Sequence, residues 1–162
     1  MRTVLAVTIA LALCGPNTAL AAGTSIPGSL SKAVANYQNL GVVRVIERFD
    51  DGNVATVDVM KGQYRIATSG GEDPALVMKL ASQPIPDVNA AGSTYAVKSL
   101  GTKILDGVKV NGYTISSADG SYVVSVWVNP NNLPMIADVQ TQGHKVNLQF
   151  GDFNNQFLIG VR

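Results

Sequence analysis

The chain has 162 residues, the length of one ordinary domain, and 46% of them are apolar, enough to build a core. Charged residues make up only 14%, with twelve basic against eleven acidic side chains and no basic block, which excludes a reader of the nucleic-acid phosphate backbone. The single cysteine excludes an internal disulfide framework.

The N-terminus reads as an export signal. Arg2 is a positive start, Val4 to Leu13 is nearly unbroken apolar sequence, and Ala19-Leu20-Ala21 offers the small residues a signal peptidase reads. The apolar run of about ten residues is too short to span a bilayer as a helix; a buried N-terminal helix is the alternative. No other stretch approaches transmembrane length, so no stable span is expected in the mature chain. We expect a signal peptide over residues 1–21 and a single β-rich domain over 22–162. Cleavage after Ala21 leaves 141 residues with eleven basic and eleven acidic side chains. It also removes Cys14, whose bulky neighbour Leu13 is a poor match to the small residue that lipoprotein peptidases require. A cysteine-free secreted domain suits a bacterial periplasm.

After a lead-in over 22–28, Ser29 or Ser31 is placed to cap a helix running to Leu40. Leu30, Ala33, Val34 and Tyr37 fall on one face, and Gly41 is the stop. The period then changes to two. Val43, Val45 and Phe49 share a face, Arg44 and Arg48 take the other, and Asp50-Asp51-Gly52-Asn53 is a turn. Val54 to Met60 is the next strand, and Lys61-Gly62 returns the chain into Tyr64-Arg65-Ile66. Residues 68–94 break the rhythm: Asp73-Pro74 starts a short helix over Ala75 to Leu80, and Pro84 and Pro86 forbid a central strand. From Tyr95 onward the hairpin pattern returns. Strands are expected over Tyr95 to Leu105, then from Val108 with a turn or bulge at Asn111-Gly112 before Tyr113 to Ile115. Further strands cover Tyr122 to Val128, Leu133 to Gln140, Lys145 to Phe150 and Phe157 to Val161. Val123 and Trp127 oppose Val124, Val126 and Val128, so this strand reads as buried on both sides. The connections are too short for crossover helices, which makes the sheet antiparallel. The fold class is mainly β (α+β): a strongly curved antiparallel sheet or unclosed half-barrel with one or two short helices.

Candidate chemistry is sparse. His144 is the only histidine and sits beside Gly143 in turn-like sequence, so neither a metal site nor a cofactor site is expected. Asp50, Asp51, Asp119 and Asp152 all fall in turns, where carboxylates bond nearby amides. The sequence shows no nucleophile elbow, phosphate-cradling glycine loop or calcium loop. The aromatic residues are better placed. Tyr113, Tyr122, Trp127, Phe150 and Phe153 lie on or between strands of the second half. They either pack an ordinary sheet core or line a hollow that holds an apolar ligand.

Several segments resemble bacterial periplasmic lipoprotein carriers and their lipoprotein-sorting relatives. The matching stretches are "GVKVNGYTIS", "SYVVSVWVNPNNLPMIADVQ" and "VNLQFGDFN" between Gly107 and Asn154, with "FDDGNVATVDVMKGQYRI" from Phe49 to Ile66. Gly112-Tyr113, Val126-Trp127-Val128, Leu133-Pro134 and Phe150 to Asn154 occupy the places of the family's short motifs. The resemblance implies an unclosed curved sheet whose concave side holds acyl chains beneath helices. The leading expectation is therefore a non-enzymatic periplasmic carrier or binding protein for a lipid or other apolar ligand, with the five aromatic residues at its site. Two alternatives stay open: an envelope module that engages a protein partner through a sheet edge or aromatic patch, and a small hydrolase that uses turn carboxylates.

Overall fold

The structure is a computed structural model that describes residues 27–52, 54–60, 63–68, 95–118, 120, 122–141 and 144–154. The expected signal peptide, the expected helix from Ala75 to Leu80 and the expected strand from Phe157 to Val161 lie outside the described residues.

Helix α1 spans Gly28–Asn39 and is followed by strands β1 (Val43–Phe49), β2 (Val54–Met60) and β3 (Gln63–Thr68). After residues 69–94 come β4 (Tyr95–Leu105), β5 (Val108–Ser117), β6 (Tyr122–Val128), β7 (Pro134–Thr141) and β8 (His144–Gly151). These form one eight-stranded antiparallel sheet in the order β3-β2-β1-β8-β7-β6-β5-β4. Every neighbouring pair is consecutive in sequence except β1 and β8, the first and last described strands, which pair with Phe49 opposite Val146 and Val45 opposite Phe150. The sheet is open: β3 and β4 are its outer strands among the described residues.

Strand alternation decides which residues enter the core. Val43 and Val45 of β1, Val57 of β2, Ile115 of β5, Val124 and Val126 of β6, Val139 of β7 and Leu148 of β8 are buried on one face. Leu30 and Ala33 of α1 pack into the same cluster, so this is the α1 face. The opposite, far face carries Arg44, Ser125, Trp127, Asp138 and Asn147, as the registers require. On β6, Val124, Val126 and Val128 are buried on the α1 side, whereas Val123, Ser125 and Trp127 are half-buried, so expected burial on both sides is only partly realised.

The ends and turns carry two local corrections. First, neither Ser29 nor Ser31 opens the helix: α1 begins at Gly28, with the Ser31 amide donating to the Pro27 carbonyl at 3.0 Å. Ser29 is thereby released for a tertiary contact. Second, Asn111-Gly112 makes no turn or bulge but runs inside β5. The irregularity at that level is on the partner strand, where the register shifts between Ser99 and Gly101 and Gly101 takes φ +81°. The reversal between β4 and β5 falls where the two expected strands leave it, at Asp106-Gly107. Their φ values of 48° and 79° give the twist that suits a two-residue hairpin.

Candidate functional site

The α1 face is built from the middle of the sheet. Tyr113 on β5 and Phe150 on β8 point into the core, 6% and 7% exposed, and half-buried Phe153 packs at its edge. The Tyr113 hydroxyl hydrogen-bonds the Ser29 hydroxyl and so ties the first turn of α1 to the sheet. At the other end of the helix, Asn36 Nδ2 donates to the carbonyls of Asn131 and Asn132, both at 3.2 Å. That loop is shaped by Asn129, whose Oδ1 accepts the amides of Asn131 and Leu133 at 3.0 Å each. Asn154, at φ 55°, closes the lower edge: its Oδ1 accepts the Gly41 amide at 2.7 Å and its amide donates to the Val42 carbonyl at 2.8 Å.

The expected aromatic set divides between the two faces. Tyr113, Phe150 and Phe153 belong to one cluster beneath α1. Trp127 stands on the far face, laid over Gly112, with Lys103 Nζ 3.8 Å from its ring centroid. Tyr122 opens β6, and its side chain lies outside the described residues. A cavity of about 560 Å³ near the β1, β6, β7 and β8 strand ends has Arg48, Phe49, Val123, Asp138, Lys145 and Val146 on its walls, and none of the five expected residues.

One residue of the α1 face escaped the sequence reading. Glu47 is fully buried, in register with Ala55 and Leu148. The signal was present: Glu47 takes an inward position in the alternation Val43, Val45, Glu47, Phe49, where an apolar residue is expected. Removing a carboxylate from water is expensive, so such a group is a candidate for ligand contact.

The turn carboxylates act as braces. Asp50 Oδ2 accepts the Lys145 amide at 3.2 Å, which ties the β1–β2 turn to β8. Arg44 donates to both oxygens of nearly buried Asp58, at 2.8 Å from Nε and 3.1 Å from Nη2, and Nη1 lies 3.9 Å from Asp152. The side-chain hydrogen bond to Asp58 raises the Arg44 pKa; burial opposes it, and the charges of Asp58 and Asp152 add to it. Asp119 and the side chain of His144 lie outside the described residues. Among the described residues, no three His, Cys, Asp or Glu side chains group to hold a metal ion, and no helix is long and apolar enough to cross a membrane.

No protein-family model and no curated protein sequence matches the chain. Solved structures do. The chain is similar to the lipoprotein LppX of Mycobacterium tuberculosis, with a TM-score of 0.52 and 13% identity over 79% of this chain and 94% of that one. Looser likenesses, on which nothing rests, are to MucB and to LprF from Mycobacterium bovis. MucB gives a TM-score of 0.47 and 13% identity over 78% of this chain and 56% of that one. LprF gives a TM-score of 0.45 and 10% identity over 82% and 96%. At this identity the likeness to LppX is one of fold: a mostly β architecture whose antiparallel sheet stays unclosed beside a short helix.

Proposed function

We propose that the protein is exported to the periplasm and there binds and carries a lipid or other apolar molecule on the α1 face of its open sheet. The observation that carries this reading is the mismatch between the apolar floor and α1. Eight strands extend about 35 Å across, and buried apolar side chains run from Val57 on β2 to Ile115 on β5. A twelve-residue helix is only about 18 Å long and about 10 Å wide. The apolar face is therefore wider than α1 alone; its side chains are already buried, so an acyl chain would enter by displacing part of their cover and would gain roughly 25 cal/mol per Å² of apolar surface it buries, before ordering costs. Phe150 and Phe153 would contact the chain, Tyr113 would hold α1 in place, and Glu47 would orient a polar end. The likeness of fold to LppX and the resemblance of the Gly107–Asn154 motifs to carriers support the same reading.

Native mass spectrometry of protein purified from cells tests it. Extra co-purified mass is expected, together with binding of a fluorescent fatty-acid analogue that Phe153→Ser weakens about tenfold. A clean apo mass with no analogue binding would overturn the proposal.

A further inference from the structure

The β4–β5 hairpin extends past the sheet. The last rung that β5 shares with β6 is Asn111 opposite Val128, yet β5 continues to pair with β4 through Lys103–Val110, Ile104–Lys109 and Leu105–Val108. Three rungs of about 3.4 Å make a finger of about 10 Å, before the Asp106-Gly107 turn. Its root is fixed by fully buried Val110 and by Lys103 seated over Trp127. Next to the turn, Ile104 is 64% exposed and Leu105 and Val108 are half-buried, while Leu100, at the bulge behind the finger, is 45% exposed. Of the three large apolar side chains exposed among the described residues, two are on this hairpin. So are three of the chain's seven lysines, Lys98, Lys103 and Lys109, whereas Asp106 is its only acidic residue. Strand alternation sends Lys103 and Lys109 to opposite sides of the finger, so the cations form a collar below the tip.

An extended protein segment adding to the β4 edge fits this surface poorly. The bulge between Ser99 and Gly101 interrupts the ladder, and Lys98 and Lys103 sit on the strand; both features blunt an edge. Exposed Ile104 with Leu105 and Val108 next to the turn, and lysines set back toward the sheet, instead match an anionic bilayer, where apolar groups enter the interface and ammonium groups meet phosphates. Asp106 at the turn keeps the contact shallow.

We propose that this hairpin docks the protein on an anionic lipid surface through Ile104, Leu105 and Val108, with Lys103 and Lys109 on the headgroups. This goes beyond the apolar-ligand reading and does not depend on it.

Trp127 is the only tryptophan and touches the finger's root, so its emission reports docking directly. The full chain is mixed with vesicles of phosphatidylglycerol and phosphatidylethanolamine, or of phosphatidylcholine alone, and followed by co-sedimentation and Trp127 fluorescence. Binding to the anionic vesicles is expected, falling as salt rises from about 0.1 M to about 0.5 M. Ile104→Ser should weaken it about tenfold, and Lys103→Gln with Lys109→Gln by about tenfold or more. These exposed substitutions should leave circular dichroism and fatty-acid analogue binding unchanged. Equal binding to both vesicle types overturns the proposal. So does binding that all the variants retain, as attachment through the apolar N-terminal segment would give.

Discussion

Trp127 lies so closely over Gly112 that a β-carbon at position 112 would stand 2.4 Å from Cζ3 of the indole. The two residues are direct cross-strand partners on β6 and β5, and the absent side chain of one makes the space the other fills. Gly112 is therefore required by contact rather than by backbone conformation. Gly112→Ala should destabilise the domain by about 1–3 kcal/mol, the usual cost of overpacking. It should also shift Trp127 emission, as urea denaturation followed by fluorescence would show.

The hydroxyl pair Ser29–Tyr113 docks the first turn of α1 on the sheet. Tyr113→Phe should cost about 1 kcal/mol, the net value of one part-buried hydrogen bond. In the Tyr113→Phe background, Ser29→Ala should cost little more, and a double-mutant cycle would measure that coupling. Full additivity would mean that the two hydroxyls act independently.

Arg44 and Asp58 join β1 to β2 through two hydrogen bonds, with Asp58 nearly buried. Arg44→Met should lower stability by about 2 kcal/mol, in the range for bonds to a charged group. The sign of the pH dependence follows from the raised Arg44 pKa. A group whose pKa rises on folding stabilises fully below its ordinary value and loses that contribution only as pH climbs through the raised one. For a guanidinium this window lies above the neutral range. The Arg44→Met difference should thus stay constant between about pH 6 and about pH 9 in denaturant titrations.

Asn129 accepts two backbone amides within its own loop, and Asn36 clips that loop to α1. Asn129→Ala should cost about 1–2 kcal/mol. Hydrogen exchange should quicken at Asn131 and Leu133 before the strands open.

Much of the architecture is legible in the order of residues. Period-two runs such as Val43-x-Val45 and Val124-x-Val126-x-Val128 determine which side chains share a face, because a strand sends alternate residues to opposite sides. The shift from a three-to-four spacing at Leu30 and Ala33 marks where helix gives way to sheet, and short connections make that sheet antiparallel. Turn chemistry was harder to read. Asn111-Gly112 and Asp106-Gly107 have the same local character, and cross-strand pairing makes the first straight and the second a reversal.

The sequence by itself determined the strands, their faces and the one short helix among the described residues. Tertiary structure decided which face α1 covers, and so separated Trp127 from Tyr113 and Phe150. It joined β1 to β8, which brought together Phe49 and Val146, 97 positions apart, and it buried Glu47 between Ala55 and Leu148. The physical reason is that alternation is a local property of the backbone. The choice of neighbour depends on contacts between residues far apart in the chain, and no short stretch of sequence records them.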